Sequence, residues 1–79
     1  MMTTGPVAEA AVLCALAPGA QLTATQITEH AQLTGWSARR AIGQLKSRGL
    51  IAATPHASRW SITPRGRAAW ATKFRRYAE

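Results

Sequence analysis

Acids are the scarcest charged residues in this chain: of 79 residues only Glu9, Glu29 and Glu79 are acidic. None of them lies near a histidine and a nucleophile in a recognisable pattern, and Glu29-His30 reads as a helix surface, so no catalytic residue is assigned. Cys14 is the only cysteine, which excludes an internal disulfide and a cysteine-based metal cluster. It is expected to be a buried thiol inside the first helix. His30 and His56 have no companions that would complete a ligand set, so neither a metal nor a cofactor is expected. No apolar run approaches the ~20 residues that a membrane span needs, and no charged segment precedes an apolar one at the N-terminus as in a secretory signal. A chain of this length allows one domain with one modest core. With no appended domain to hold a pocket, no small-molecule ligand is expected.

What the chain does have is positive charge, and all of it is in one half. Residues 34–79 hold all ten Lys and Arg and one acid, whereas residues 1–33 hold two acids and no base. The net charge of +7 is therefore directional, and a one-sided basic block attracts a polyanion. The bases are interleaved with helix and strand signals rather than gathered in a tail, which disfavours a membrane surface.

Turn and cap residues divide the chain cleanly. Residues 1–6, ending in Gly5-Pro6, read as a flexible lead-in, and residues 7–79 as a single domain. Val12, Leu13 and Leu16 recur at helical spacing, and Pro18-Gly19 ends that first helix. A short strand at Ala20 to Leu22 is a candidate partner for a later hairpin. Thr23-Ala24-Thr25-Gln26 fits a capping box that opens a second helix to about Ala31, with Ile27 and Ala31 facing inward. Gln32-Leu33 forms a corner. Thr34 caps a third helix whose buried stripe is Ala38, Ile42 and Leu45. Gly43 is a weak point within it, costing roughly 1 kcal/mol against alanine. Either a close approach to that backbone or drift accounts for it. Gly49 stops the helix. Leu50 to Thr54 and Arg59 to Ile62 read as two strands around a Pro55–Ser58 turn, with Trp60 and Ile62 packing on the helices. Thr63-Pro64 then opens a last helix over 64–77. The order is α-α-α-β-β-α: mainly helical, with a small β-hairpin.

This order resembles the winged helix-turn-helix family. The matching residues are Ile27 at the start of the helix pair, Leu33 in the turn and Thr34 at the cap. The closure Leu45-Lys46-Ser47-Arg48-Gly49-Leu50-Ile51 and the signal Thr63-Pro64-Arg65-Gly66 complete the set. The likeness covers roughly residues 7 to 70. It is nearest to small bacterial, plasmid and phage transcription regulators of the multiple-antibiotic-resistance type. It implies a cytoplasmic, nucleoid-associated protein that binds double-stranded DNA, reading the major groove with helix 34–48, and that acts as a transcriptional repressor. A plasmid partition or replication factor, a phage excision factor, and a winged helix that binds protein rather than DNA are the alternatives.

The residues expected at such an interface are Thr34, Gly35, Trp36, Ser37, Arg39, Arg40, Gln44, Lys46 and Arg59. A recognition helix points its N-terminal residues at base edges. An arginine grips guanine O6 and N7 with two hydrogen bonds, and a glutamine does the same to adenine. Arg39 is the expected base reader, with Arg40 shared between base and phosphate. Ser37 and the helix-start N–H groups are expected on phosphate. Trp36 either meets a thymine methyl or sugar edge, or folds back onto the second helix as core. Arg59, after the wing turn, is expected on phosphate, and His56 is expected to be plain surface. Trp70, Phe74 and Tyr77 form an aromatic stripe ringed by Arg65, Arg67, Lys73, Arg75 and Arg76. It either covers the first helix of its own chain or, the favoured expectation, joins a homodimer with recognition helices about 34–36 Å apart.

Overall fold

The computed structural model describes residues 5–55 and 58–78. The expectations for the lead-in residues Met1–Thr4 and for His56 lie outside the described residues. The elements run α1 (Gly5–Leu16), β1 (Leu22–Thr23), α2 (Ala24–Ala31), α3 (Gly35–Ser47), β2 (Ile51–Ala53), β3 (Arg59–Ile62), α4 (Pro64–Ala69), a π-helical turn (Trp70–Phe74) and α5 (Arg75–Ala78). This is the expected mainly helical fold with its hairpin.

The hairpin gains a third strand. β3 is central, with β1 and β2 on either side in antiparallel pairing. Leu22 pairs with Trp60, and Ile51 with Ile62. The first strand thus falls at Leu22–Thr23, one to two residues later than the expected Ala20–Leu22, because Thr23 both ends β1 and caps α2. Its hydroxyl accepts from the Gln26 N–H while the Gln26 side chain accepts from the Thr23 N–H, which is the reciprocal box read from the sequence. The corner after α2 turns on Gln32, whose φ of 54° is left-handed.

The core is built where α1, α2 and α3 meet. Val12, Leu13, Leu16, Ile27, Ala38, Ala41, Ile42, Leu45, Leu50 and Ile51 are buried. Trp60 and Ile62 pack half-buried against them, so the inward face of β3 is as expected. Ala31 is only half-buried.

Two expectations on α1 are corrected. The helix begins at Gly5 rather than Val7, because a proline at the second helical position has no N–H to leave unpaired. Cys14 is exposed, not buried. Val12, Leu13 and Leu16 form the inner stripe, and residue 14 lies opposite it at 100° per residue. α1 is apolar nearly all round, so composition alone did not reveal which side faces out.

Thr63 ties the wing to the third helix. Its hydroxyl donates toward the Gly49 and Leu50 carbonyls and accepts from the Gly66 N–H at 3.0 Å. That places Gly66 directly against the strand entry. A Cβ there would collide with the Leu50 carbonyl oxygen and press on Ile62. The Thr-x-x-Gly signal is thus a steric requirement of this junction.

The last helix is not the uniform one expected over 64–77. The Arg75 N–H reaches back to the Trp70 carbonyl, five residues away, and the Thr72 hydroxyl bonds to the Ala68 carbonyl at 2.8 Å, a contact that competes with regular helix geometry. One extra residue in a turn rotates everything after it. The aromatic stripe is split as a result. Phe74 enters the protein's own core, Trp70 is half-buried, and Tyr77 is 40% exposed. Phe74 is therefore corrected from interface to core.

Candidate nucleic-acid interface

α3 presents two different faces. Its inner stripe of Ala38, Ala41, Ile42 and Leu45 is buried, and its outer side carries Gly35, Trp36, Arg39, Arg40, Gly43, Gln44, Lys46 and Ser47, all exposed. Thr34 holds the entry, accepting from the Ser37 N–H at 3.1 Å. Among the described residues no other side chain caps that first turn, and its N–H groups add partial positive charge to a face with two arginines.

Ser37 does not join this face. It is 1% exposed, and its hydroxyl has no hydrogen-bond partner among the described residues. The expectation that Ser37 meets phosphate is corrected. In the structure the buried arc is wider and takes in the position four residues before Ala41. Trp36 resolves the other way. It is 53% exposed, and the Arg40 guanidinium lies over its ring, 5.5 Å from the centroid. It does not fold back as core.

Helical rotation sorts the outer residues into two edges. Arg39 and Lys46, two turns apart, lie toward the wing, where the Lys46 ammonium sits 5.8 Å from the Trp60 ring centroid. Arg40 and Gln44 form the other edge. Trp36 and Gly43 run between them, and nothing lies within 4 Å of where a Cβ on Gly35 or Gly43 would stand. No part of the described chain therefore approaches Gly43, which excludes an internal packing reason for that glycine.

Several bases hold the fold, a division the charge count did not reveal. Arg48, at the end of α3, bonds the buried Glu9 of α1 at 2.8 Å, with side-chain exposures of 52% and 8%. Arg67 donates to the Ala17 carbonyl at 2.8 Å and so supplies the C-terminal cation that α1 lacks. Arg59 donates to the Gln21 carbonyl at 3.1 Å, fastening β1 to β3, so part of its guanidinium is committed to the sheet. The lone acid in an otherwise apolar α1 was the available signal for the Glu9 pair. By contrast, no hydrogen bond or ion pair with another described residue engages the Arg39 side chain.

A groove of about 830 Å³ runs along the Arg40 edge, lined by Pro6, Glu9, Trp36, Ser37, Arg40, Gln44, Lys73, Phe74 and Tyr77 among others. No small-molecule ligand is expected from the sequence, and this groove is a concave surface that the domain forms without an appended one. The π-helical turn contributes to its wall by turning Phe74 inward. Among the described residues no cluster of three metal-ligating side chains occurs, and no helix is long and apolar enough to cross a membrane.

Helix pair, wing and basic outer helix together define a winged helix-turn-helix, the fold of the MarR family of transcriptional regulators. Two MarR family regulators from Silicibacter pomeroyi superpose with TM-scores of 0.76 and 0.75 at 21% and 23% identity. They cover 82% and 90% of this chain and 46% and 50% of their own. Bordetella bronchiseptica BpsR, whose DNA binding is regulated by 6-hydroxynicotinic acid, superposes with a TM-score of 0.72 at 28% identity, over 81% of this chain and 48% of its own. The chain thus spans about half the length of the solved structures it matches. These neighbours are transcriptional regulators and not enzymes. No protein-family model and no curated protein matches the sequence.

Proposed function

We propose that this chain is a DNA-binding transcriptional regulator, a repressor, that lays the outer face of α3 in the major groove of a duplex. The observation that carries this reading is that face itself. Arg39 and Arg40 stand exposed in the first half of a capped helix and Gln44 one turn after Arg40, and the Arg39 side chain is engaged by no other described residue. Arg39 reads guanine, Gln44 adenine, and Lys46 and the helix start hold phosphate. Gly35 and Gly43 let the duplex approach the bare helix backbone. The MarR family neighbours support the same reading.

The chain acts as a homodimer on a palindromic site. Tyr77 and Val7, two of the three exposed large apolar residues among the described ones, together with the exposed side of α1, offer the surface for pairing. The test is the salt dependence of affinity for a mixed-sequence duplex. Counterion release predicts a log–log slope of about −0.9 per phosphate contacted, and a flat response would favour a protein partner instead.

One observation favours a further layer of control. The groove beside Arg40 has aromatic walls from Trp36, Phe74 and Tyr77 and cations from Arg40 and Lys73. A small aromatic anion seated there would draw Arg40 away from DNA. BpsR is regulated by such a compound. Release of bound DNA by aromatic carboxylates, lost in Lys73→Ala, would support this control, and indifference to them would remove it.

A further inference from the structure

The Trp36–Arg40 stack borders the groove but adds nothing to the buried core. Both residues are exposed, one turn apart, and neither covers the core. Leaving a large indole half in water is unfavourable, so the arrangement calls for an external partner. A cation over a ring restricts the guanidinium, so Arg40 is held in place before any partner arrives.

We infer that Trp36 and Arg40 form one reading unit whose target is a thymine next to a guanine. This inference rests on the reading of α3 as the DNA-contacting helix. An arginine fork bonds guanine O6 and N7 in the plane of that base. A ring lying over the guanidinium is then displaced along the duplex axis, toward the neighbouring base pair. The 5.5 Å centroid distance exceeds one base-pair rise of about 3.4 Å, so the indole sits offset, with its edge against the major-groove edge of that neighbour. Every polar atom on such an edge loses water against hydrocarbon without gaining a bond. The thymine C5-methyl is the one methyl group, and the largest apolar group, that any unmodified major-groove edge displays. The indole therefore selects thymine while Arg40 selects guanine. Gly35 before the pair and Gly43 after it carry no side chain, which leaves the stack free to reach the floor of the groove.

The experiment starts from duplexes selected by the full chain out of a random pool. In the selected site each thymine adjacent to guanine is replaced by 2′-deoxyuridine, which removes only the methyl group. The wild-type chain is expected to lose about fourfold in affinity at one such position per half-site. Trp36→Ala is expected to bind more weakly but to be indifferent to the methyl, and Trp36→Phe to recover that sensitivity. Arg40→Lys, which keeps the charge but not the fork, is expected to lose the guanine preference while remaining sensitive to the methyl. Trp36 is exposed, so these variants keep the core, and an unchanged thermal melt verifies that. A selected site with no thymine beside guanine, or a wild-type chain indifferent to uracil there, overturns the inference while the DNA reading stands. Failure to retain any duplex overturns both.

Discussion

α3 and the C-terminal helical run are both short, basic and amphipathic, yet they are built on different terms. α3 is a regular helix with a threonine cap, one buried stripe and one exposed polar face. The C-terminal run opens on an equally clear cap at Thr63, then widens into a π-helical turn that sends Phe74 inward and Tyr77 outward. The difference teaches that a heptad-like spacing of 70, 74 and 77 specifies a common face only if every turn is regular. In α3 the cations on the outer face are held by tryptophans or stand clear of the chain. Elsewhere Arg48, Arg59 and Arg67 are spent on Glu9 and on backbone carbonyls.

The sharpest way to break the C-terminal run is at its start. Gly66→Ala drives a methyl group into the Leu50 carbonyl, and overpacking of this kind in a junction without slack is expected to cost about 3 kcal/mol. Chemical denaturation would measure it, and a near-neutral result would show that the junction can open. On α3, Arg39→Ala should remove about 1–3 kcal/mol of discrimination at one base pair per half-site while leaving the melting temperature unchanged.

Arg48→Ala tests the joint between α1 and α3. Glu9 is left without its partner, and because Arg48 is half-exposed the expected loss is modest, about 1 kcal/mol, with DNA preference retained. Gly43→Ala has the smallest effect and the most telling sign. Helix propensity should stabilise the fold by up to about 1 kcal/mol, since nothing in the described chain contests the space. DNA affinity should fall nonetheless, because the added methyl meets the duplex. A variant that is both more stable and equally tight would mean that Gly43 is drift.

Much of the fold was legible because it is written in caps and turns. Thr23 with Gln26, Thr34 and Thr63 each satisfy helix-start N–H groups through local bonds, and local bonds leave local signatures. The outer face of α3 was legible for the same reason, as the complement of a regular stripe. Ser37 is buried because the width of a buried arc depends on what packs against the helix, here α1 and α2, and a single helix does not encode its neighbours. Cys14 is exposed against expectation because α1 is apolar on nearly every side. The π-helical turn has no periodic signal: the Thr72 back-bond within it is matched by Thr28 in α2, which stays a regular helix.

The central claim is that the outer face of α3 reads duplex sequence. The most direct test is selection from a random duplex pool at near-physiological salt, run in parallel for the wild-type chain and for Arg39→Ala. The account predicts a palindromic motif for the wild type and the same motif, relaxed at one base pair in each half, for the variant. Identical motifs from the two chains, or no retained duplex from either, would contradict it.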